Sequence, residues 1–392
     1  MIRLIYPKFW QTKNIIAYLL LPLSWLYLFA SYLRRITARP IIFPCKVICV
    51  GNISIGGTGK TQIVIFLAQL LKAINIDFII ITKGYGSKLQ TALLVEAHHT
   101  AADVGDEAVM LLKYGRVIAA KKIQDIGSFI ERIKPKVIIV DDSMQNPNFH
   151  KDIVILSVDA NRLFGNEFLI PAGPLRQYPK QAIDKADIVI SVGSANIDSF
   201  PLYINPTNIT PNSQTSLREA TLVATKQSFL CHPCESRDLD SRLRGNDNLQ
   251  LLHSGFTPPR NDGSLLWLNA NRVSYKERIF FQAQIVPSID IDKTKNYFAF
   301  SGIGNPERFL STLENYGLQL VGHKIFPDHH QYSAEDLEYL KEQSKKSNSL
   351  LITTRKDYVR ICDTDLSVIC CDVHLLLDHQ QLLVDLIYEK II

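Results

Sequence analysis

A glycine-rich segment between an apolar run and a helical pattern constrains the fold of this chain more than any other feature. The segment is GNISIGGTGKT at 51–61, and it follows the apolar run at 47–50 and opens helical spacing at 61–73. The glycine that usually stands five positions before the Gly-Lys pair is Ser54 here, so the match to the common pattern is not strict. A short buried strand, a glycine turn and a helix opening on Gly-Lys-Thr nevertheless predict the phosphate-binding loop of a nucleotide-dependent enzyme.

The residue types of this loop suit the binding of a nucleoside triphosphate. Glycine lacks a Cβ atom, so backbone N–H groups can close around phosphate oxygens in conformations that other residues resist. Lys60 is expected to reach the β and γ phosphates, and the Thr61 hydroxyl is expected to bind Mg²⁺. The predicted nucleotide-binding residues are Ser54, Ile55, Gly56, Gly57, Thr58, Gly59, Lys60 and Thr61.

Length, composition and charge limit the classes of protein to which the chain can belong. Its 392 residues suffice for two domains, and 46% apolar with 21% charged residues describe a folded protein. The formal net charge of +5 fits an anionic substrate or membrane surface but is too small to indicate nucleic acid as a partner. Seven cysteines without framework spacing indicate reduced thiols in the cytoplasm.

A long uncharged stretch lies near the N-terminus. NIIAYLLLPLSWLYLFASYL separates Lys13 from Arg34 and is long enough to span the hydrocarbon core of a membrane. Three arrangements remain open: a spanning anchor, a helix lying in the interface, and a helix packed on the protein's own core. Arginines after the stretch would keep the remaining chain cytoplasmic. We predict an N-terminal membrane-associated helix over 1–36.

Apolar runs and helical patterns alternate from residue 47 onwards. The strand candidates of the first half are 47–50, 77–82, 116–119, 137–141, 153–158 and 187–191. Strands separated by helices predict an α/β fold with a mostly parallel sheet, similar to that of P-loop NTPases, over 37–225.

The second half of the chain has a different organisation. Residues 226–263 are rich in Arg, Asp, Asn, Gly and Pro without sustained periodicity, which predicts a disordered insertion. After it, strand patterns at 296–300, 318–326 and 349–354 alternate with helical patterns at 306–315, 334–345 and 375–390. We predict a second, smaller α/β domain over 264–392.

Two acidic pairs stand where ligands bind parallel sheets. Asp141-Asp142 ends the strand pattern at 137–141, a position from which carboxylates hold Mg²⁺ in phosphate-loop sites, although a solvated strand end is a structural alternative. Asp106-Glu107 opens a helix, where carboxylates suit the positive end of the helix dipole. Asp106 can equally be a simple N-terminal cap there.

Three further motifs contain candidate substrate-binding or acid–base residues. Tyr85 lies in the glycine turn KGYG, and Arg176 ends the rigid segment PAGPLR, from which it can clamp phosphate oxygens. FPDHH places His329 and His330 beside an aspartate. Without more metal-type ligands nearby in sequence, acid–base or positioning work is favoured over zinc binding.

Nine motifs in order resemble the tetraacyldisaccharide 4'-kinase family, over nearly the whole chain outside 226–263. They are LPLSWLY, GNISIGGTGKT, KGYG, GDEA, DDSMQ, PAGPLR, GIGNPERF, FPDHH and TTRKD. The resemblance implies ATP- and Mg²⁺-dependent transfer of the γ-phosphoryl group to the 4'-hydroxyl of a tetraacylated glucosamine disaccharide 1-phosphate. It places this step of lipid A biosynthesis at the cytoplasmic face of the inner membrane.

The resemblance also implies roles for single residues. Asp106 matches the acid that engages the acceptor hydroxyl, and His329 matches the histidine that tunes it. Together with Lys60 these residues form the implied catalytic set. Tyr85 and Arg176 match positions that contact substrate or phosphate. The implied metal-side residues are Thr61, Glu107, Asp141 and Asp142.

Several positions depart from the family pattern. The usual DDGFQH reads DDSMQN, the usual Arg before GYG is Lys83, the acid after PAGPLR is Gln177, and TTEKD reads TTRKD with Arg355. These departures motivate one alternative, a weakened nucleotide- and lipid-binding protein. A second alternative is a membrane-associated P-loop ATPase or GTPase, because the loop alone does not define an acceptor.

Overall fold

The computed structural model describes residues 7–193, 274–275, 278–288, 291–361 and 365–391. The predicted insertion at 226–263 lies outside the described residues. The chain before residue 194 alternates helices and strands, as the sequence predicts. Its elements are α1 (Ile15–Ile36), β1 (Lys46–Gly51), α2 (Lys60–Ala73), β2 (Phe78–Thr82), β3 (Leu93–Leu94), α3 (Ala101–Val104), α4 (Asp106–Leu111), β4 (Arg116–Ala119), α5 (Gly127–Ile133), β5 (Val137–Asp141), β6 (Ile153–Asp159), α6 (Pro179–Lys185) and β7 (Ile188–Val192).

The later part of the chain contains the remaining elements. They are β8 (Ser274–Tyr275), β9 (Arg278–Pro287), β10 (Asn296–Ser301), α7 (Pro306–Tyr316), β11 (Gln319–Ile325), α8 (Ala334–Lys346), β12 (Leu350–Thr354), α9 (Arg355–Tyr358), β13 (Val368–Cys371), β14 (Val373–Leu377) and α10 (Gln380–Ile391). The helical pattern at 375–390 begins in a strand, because β14 pairs with β9 before α10 starts.

A large, mostly parallel sheet of the described residues confirms the predicted α/β fold. Its strand order is β14-β9-β7-β6-β1-β5-β2-β4-β3, with β8 paired to β9. β1 lies between β5 and β6, and Val50 pairs with Asp141 in parallel register. The phosphate loop therefore starts beside the carboxyl end of β5, at the edge where parallel sheets bind ligands.

Helices cover both faces of this sheet. Ile48 and Val50 of β1 pack with the buried side of α2, whereas Val47 and Cys49 face a second core on the opposite side. This alternation follows from the pleat of a strand, and burial on both faces explains the continuous apolar run.

A smaller parallel sheet forms a second unit. Its order is β11-β10-β12-β13, and it is built from 291–371, which we call the second unit. The remaining described residues form the first unit. The predicted boundary at residue 264 differs from this division, because β9 and β14 both pair within the large sheet. The buried side chains of Leu375 and Leu377 complete the core beneath α2.

Helix α1 covers the first unit with one side only. It is the one helix among the described residues that is long and apolar enough to cross a membrane, with a mean hydropathy of 1.7 over its most apolar window. The Ser24 hydroxyl donates to the carbonyl of Leu169 (2.8 Å), and Tyr27 donates to the carbonyl of Arg176 (3.2 Å). The opposite side exposes Ile15, Ile16, Tyr18, Leu19, Leu23, Trp25, Leu26, Phe29, Tyr32, Leu33 and Ile36.

Candidate active site

The phosphate loop joins β1 to α2, and neighbouring groups fix its shape. Gly59 has a φ of +89°, a left-handed conformation that favours glycine, and a Cβ atom there would lie 2.9 Å from Cγ1 of Val192. The Ser157 hydroxyl donates to the carbonyl of Thr58 (2.7 Å). Residues 54–61 therefore form a shaped loop at the N-terminus of a long helix, the arrangement that binds phosphate.

Three cationic side chains surround Asp142. Nζ of Lys60 and Nη1 of Arg176 each lie 3.3 Å from Oδ1 of Asp142, and Nζ of Lys83 lies 3.9 Å from Oδ2. Burial alone would raise the pKa of Asp142, but the positive charges of Lys60, Arg176 and Lys83 lower it. A phosphate group entering the loop would meet the same three cations.

Asp141 is buried beside this cluster without a direct partner. Both of its carboxylate oxygens lack a hydrogen-bond partner among the residues that the structure describes. Burial, followed by the negative charge of Glu107, raises the pKa of Asp141 to about 8. A buried carboxylate with two free oxygens suits a hard cation, so Asp141 and the loop residue Thr61 fit Mg²⁺.

No group of three His, Cys, Asp or Glu side chains within the described ranges is spaced to hold a metal ion. A Mg²⁺ ion does not need such a group, because it typically takes one or two carboxylates and completes its coordination with water and substrate phosphates.

Asp106 is held at the start of α4 and faces the second unit. Gly105 has a φ of +93°, and a Cβ atom there would lie 3.0 Å from Cα of Gly84, so α4 begins in close contact with the KGYG turn. Oδ1 of Asp106 accepts from the backbone N–H of Glu107 (3.0 Å). This oxygen thus contacts the first turn of its own helix, and the other oxygen of the carboxylate has different neighbours.

That second oxygen, Oδ2, is contacted by three side chains of the second unit. Arg360 forms an ion pair with it, Nδ1 of His329 lies 3.2 Å away, and Nζ of Lys356 lies 3.8 Å away. Burial would raise the pKa of Asp106. The positive charge of Lys356, the hydrogen bond from His329 and the positive charge of Arg360 nevertheless lower this pKa well below its ordinary value. Asp106 is therefore ionised throughout the neutral range.

Lys356 joins the remaining groups of this cluster. Its Nζ lies 3.2 Å from Nε2 of His329 and 3.5 Å from Oε1 of Glu107. The ring of Tyr85 lies against the ring of His329, with centroids 4.8 Å apart. Glu107, predicted on the metal side, thus contacts Lys356 directly and influences Asp141 through its charge.

The GIGNPER segment of the second unit closes over the phosphate loop. A Cβ atom on Gly57 would lie 3.6 Å from Cβ of Asn305. The Asn305 amide donates to Oδ2 of Asp159 (2.8 Å), and Arg308 forms an ion pair with the same oxygen (2.5 Å). The two units are consequently held together beside the loop.

The structure brings the predicted site residues to one edge of the large sheet, in two adjacent groups. The first contains the loop with Lys60, Thr61, Asp141, Asp142 and Arg176. The second contains Tyr85, Asp106, Glu107 and His329.

Sequence reasoning assigned no role to Lys356, Arg360 or Asn305. Lys356 and Arg360 contact Asp106 in the second group, and Asn305 lies against the loop of the first. Lys356 lies in the motif TTRKD and Asn305 in the motif GIGNPERF, so membership of these motifs could have marked both as candidate site residues. Arg360 follows the first of these motifs by three residues and carried no signal of its own.

One departure from the family pattern is balanced locally. Arg355 pairs with both carboxylate oxygens of Asp372, at 2.6 Å for Nε, away from Asp106. By contrast, Gln177 is buried, and its amide nitrogen has no hydrogen-bond partner in the described part of the chain. The charge reversal at residue 355 therefore leaves the Asp106 cluster unaffected, whereas nothing in the structure explains Gln177.

Comparison with known proteins identifies the family. The tetraacyldisaccharide-1-P 4'-kinase family, LpxK, matches residues 16–391. The tetraacyldisaccharide 4'-kinase of Rickettsia bellii is 49% identical over 390 residues, covering 100% of both chains. That of Rickettsia canadensis is 50% identical over 391 residues, covering 100% of this chain and 98% of the relative.

A solved structure has the same fold. It is the "apo" form of LpxK from Aquifex aeolicus in complex with ATP, with a TM-score of 0.63 and 22% identity, covering 96% of this chain and all of that one. The matches confirm the family that the nine motifs predict and span both units of the fold. The chain belongs to the tetraacyldisaccharide-1-P 4'-kinase family.

Proposed function

We propose that this chain transfers the γ-phosphoryl group of ATP to the 4'-hydroxyl of a tetraacyldisaccharide 1-phosphate at a membrane surface. One observation carries the proposal: an ionised, buried Asp106 lies at the same edge of the large sheet as the phosphate loop, in a chain whose residues 16–391 match the kinase family. A carboxylate facing a triphosphate site can receive the proton of an acceptor hydroxyl.

The loop would bind the triphosphate, and Lys60 would leave Asp142 to contact the β and γ phosphates. Mg²⁺, held by Thr61 and Asp141 with the phosphates, would supply charge neutralisation when bound. Lys83 and Arg176 would then position the phosphates and the acceptor, and Asp142 would lie on the metal side, since alignment and charge are what phosphoryl transfer chiefly requires.

Asp106 would orient the 4'-hydroxyl and accept its proton as the new O–P bond forms and the bond to ADP breaks. Its low pKa makes it a weak base, which suits a loose transition state in which the proton leaves late. The Tyr85 ring, tilted by 53° against the His329 ring and 61% exposed, would offer a surface against which a sugar can pack.

Helix α1 supports a membrane location for this reaction. Ser24 and Tyr27 bind one side of α1 to the first unit, so a spanning arrangement would draw that unit into hydrocarbon. We infer instead that α1 lies in the interface with its exposed apolar side in the cytoplasmic face of the inner membrane. Because Tyr27 contacts the backbone of Arg176, the membrane surface and the acceptor site would adjoin.

An activity assay tests the reaction. Purified protein is incubated with labelled ATP, Mg²⁺ and the tetraacyl disaccharide 1-phosphate, and transfer of label to lipid is the expected result. Phosphate release independent of lipid would instead indicate an NTPase, and nucleotide binding without turnover would indicate a weakened binding protein.

We expect the Asp106→Ala substitution to lower lipid phosphorylation about 10²- to 10⁴-fold, because it removes the proton acceptor. The matched control is Asp125→Ala, which changes an exposed aspartate outside both groups of site residues and should leave turnover unchanged. An Asp106→Ala enzyme within about threefold of the unaltered protein would refute the acceptor role.

A vesicle assay tests the interfacial helix. The double variant Leu26→Asp, Phe29→Asp places charges on side chains that are 65% and 60% exposed, and we expect sedimentation with anionic vesicles to fall at least about tenfold. Val321→Asp, an exposed apolar position of the second unit, serves as the control. Unchanged binding of the double variant would contradict the interfacial arrangement.

A further inference from the structure

Lys356 occupies the centre of the Asp106 cluster, although neither the mechanism above nor the sequence motifs assign it a task. It is the second residue of α9 in the second unit, and its side chain is 20% exposed. Its Nζ reaches Nε2 of His329, Glu107 and Asp106, at 3.2, 3.5 and 3.8 Å, and Asp328 at 4.0 Å. A protonated amine at this place donates a hydrogen bond to Nε2 of His329 and forms ion pairs with the three carboxylates.

This contact determines which nitrogen of His329 carries a proton. The ammonium group of Lys356 has three donors and no acceptor, so Nε2 of His329 must present a lone pair to it. The ring proton then lies on Nδ1, which faces Oδ2 of Asp106 at 3.2 Å. A directed series of hydrogen bonds follows, from Lys356 to His329 and from His329 to Asp106.

The same series leaves one oxygen of Asp106 available. His329, Lys356 and Arg360 all act on Oδ2, whereas Oδ1 has only the backbone N–H of Glu107 as a donor in the described part of the chain. The side chains of the second unit thus turn the carboxylate so that Oδ1 is left for a substrate hydroxyl.

We propose that Lys356 is a positioning residue, which fixes the Nδ1–H form of His329 and thereby holds Asp106 with Oδ1 free for the acceptor. Without the amine, Nε2 of His329 loses its donor, and the ring can adopt the Nε2–H tautomer, whose Nδ1 has no proton to donate to Asp106. The inference rests on the proposed kinase reaction for its kinetic consequence, but its structural consequence can be measured without substrate.

The kinetic test compares Lys356→Met with Lys356→Arg and with the neighbouring control Arg355→Met. Methionine keeps the length of the side chain without its donors, and we expect kcat to fall about 100-fold, as for misplacement of a reacting group, with KM for ATP within about threefold. Arginine restores charge and donors and should recover kcat to within about tenfold. Arg355→Met removes a cation that pairs with Asp372 and should keep kcat within about threefold.

The structural test uses the ¹⁵N signals of the His329 ring in the full-length protein labelled at histidine, assigned with His329→Asn. The unaltered protein and Lys356→Arg should show protonated Nδ1 and unprotonated Nε2. Lys356→Met should lose this pattern while its melting temperature stays within a few degrees of the unaltered protein.

Three results would overturn the proposal: an Nε2–H form in the unaltered protein, an unchanged kcat in Lys356→Met, or a loss confined to KM for ATP, which would make Lys356 a phosphate contact. If the unaltered protein does not phosphorylate the lipid, the proposed function fails, and the ring signals still decide the role of Lys356. If Lys356→Met does not fold, Lys356→Arg and the ring signals of the unaltered protein retain the test.

Discussion

Asp106 and Asp141 are buried to similar extents, 4% and 2% exposed, at the same edge of the large sheet, yet their surroundings are opposite. Burial would raise the pKa of Asp106, but the cationic side chains of Lys356 and Arg360 contact its carboxylate and lower this pKa. Asp141 has no hydrogen-bond partner among the described residues, and burial followed by the charge of Glu107 raises its pKa to about 8. The protein thus pairs one carboxylate with its own cations, whereas no cation of the described residues contacts the other.

The difference separates two requirements of the same site. Asp106 is ionised whenever the second unit is in place, because the cations that contact it belong to the chain itself. Asp141 becomes fully ionised at neutral pH only when positive charge arrives from outside the chain, which is what Mg²⁺ with a nucleotide would bring. We therefore expect that removing a cation beside Asp106 lowers the free energy of unfolding, whereas removing the charge of Asp141 raises it.

The largest expected effect follows from removal of Arg360, whose side chain is 1% exposed and forms ion pairs with Asp106 and Asp357. Arg360→Met leaves two buried carboxylates short of a cation, and breaking such a pair destabilises a protein by about 3 kcal/mol. Urea unfolding, followed by tryptophan fluorescence, measures the change in the unfolding midpoint. A melting curve of the same variant checks it independently.

The control for Arg360 is an exposed pair. Arg116 and Asp77 are about half exposed, so Arg116→Met should change the free energy of unfolding by less than about 1 kcal/mol. If both variants unfolded at the same urea concentration, the Asp106 cluster would contribute no more than a surface ion pair, and the comparison with Asp141 would lose its basis.

The contrast between the two carboxylates also marks the limit of sequence reasoning. The loop at 54–61, the strand that ends at Asp141 and the helix that starts at Asp106 were predictable, because each depends on residues close together in the chain. The division of the chain into two units was harder to predict. β9 and β14 enclose the second unit yet pair in the large sheet, a long-range pairing that no local pattern reveals.

Burial and pairing of the two aspartates were not predictable for the same reason. Arg360 lies 254 positions from Asp106 in sequence, and only the folded arrangement shows that they meet. The resemblance to a family associated His329 with Asp106, but it gave no reason for Lys356, whose task depends on the geometry of His329 and Glu107 together. The chemistry of single motifs could be predicted from the sequence, whereas the charge balance between motifs depends on long-range contacts that only the folded structure shows.

The smaller effect is expected at Asp141 and depends on pH. The pKa of its carboxyl rises from an ordinary 3.8 to about 8 on folding, so the folded state binds a proton that the unfolded state releases between these values. Without Mg²⁺, the contribution of this carboxyl to the free energy of unfolding therefore falls as pH rises from about 4 to about 8. Asparagine at this position stays neutral at every pH and avoids that loss.

We expect Asp141→Asn to be more stable than the unaltered protein by about 2 kcal/mol at pH 8, with a smaller difference at pH 5, because a buried charge without a partner is removed. Urea unfolding at both pH values in a chelator measures the difference. Adding Mg²⁺ with a non-hydrolysable ATP analogue should narrow it at pH 8, since the cation stabilises the ionised carboxylate of the unaltered protein alone. A difference that is equal at pH 5 and pH 8 would mean that Asp141 has an ordinary pKa, and that the two carboxylates are neutralised alike.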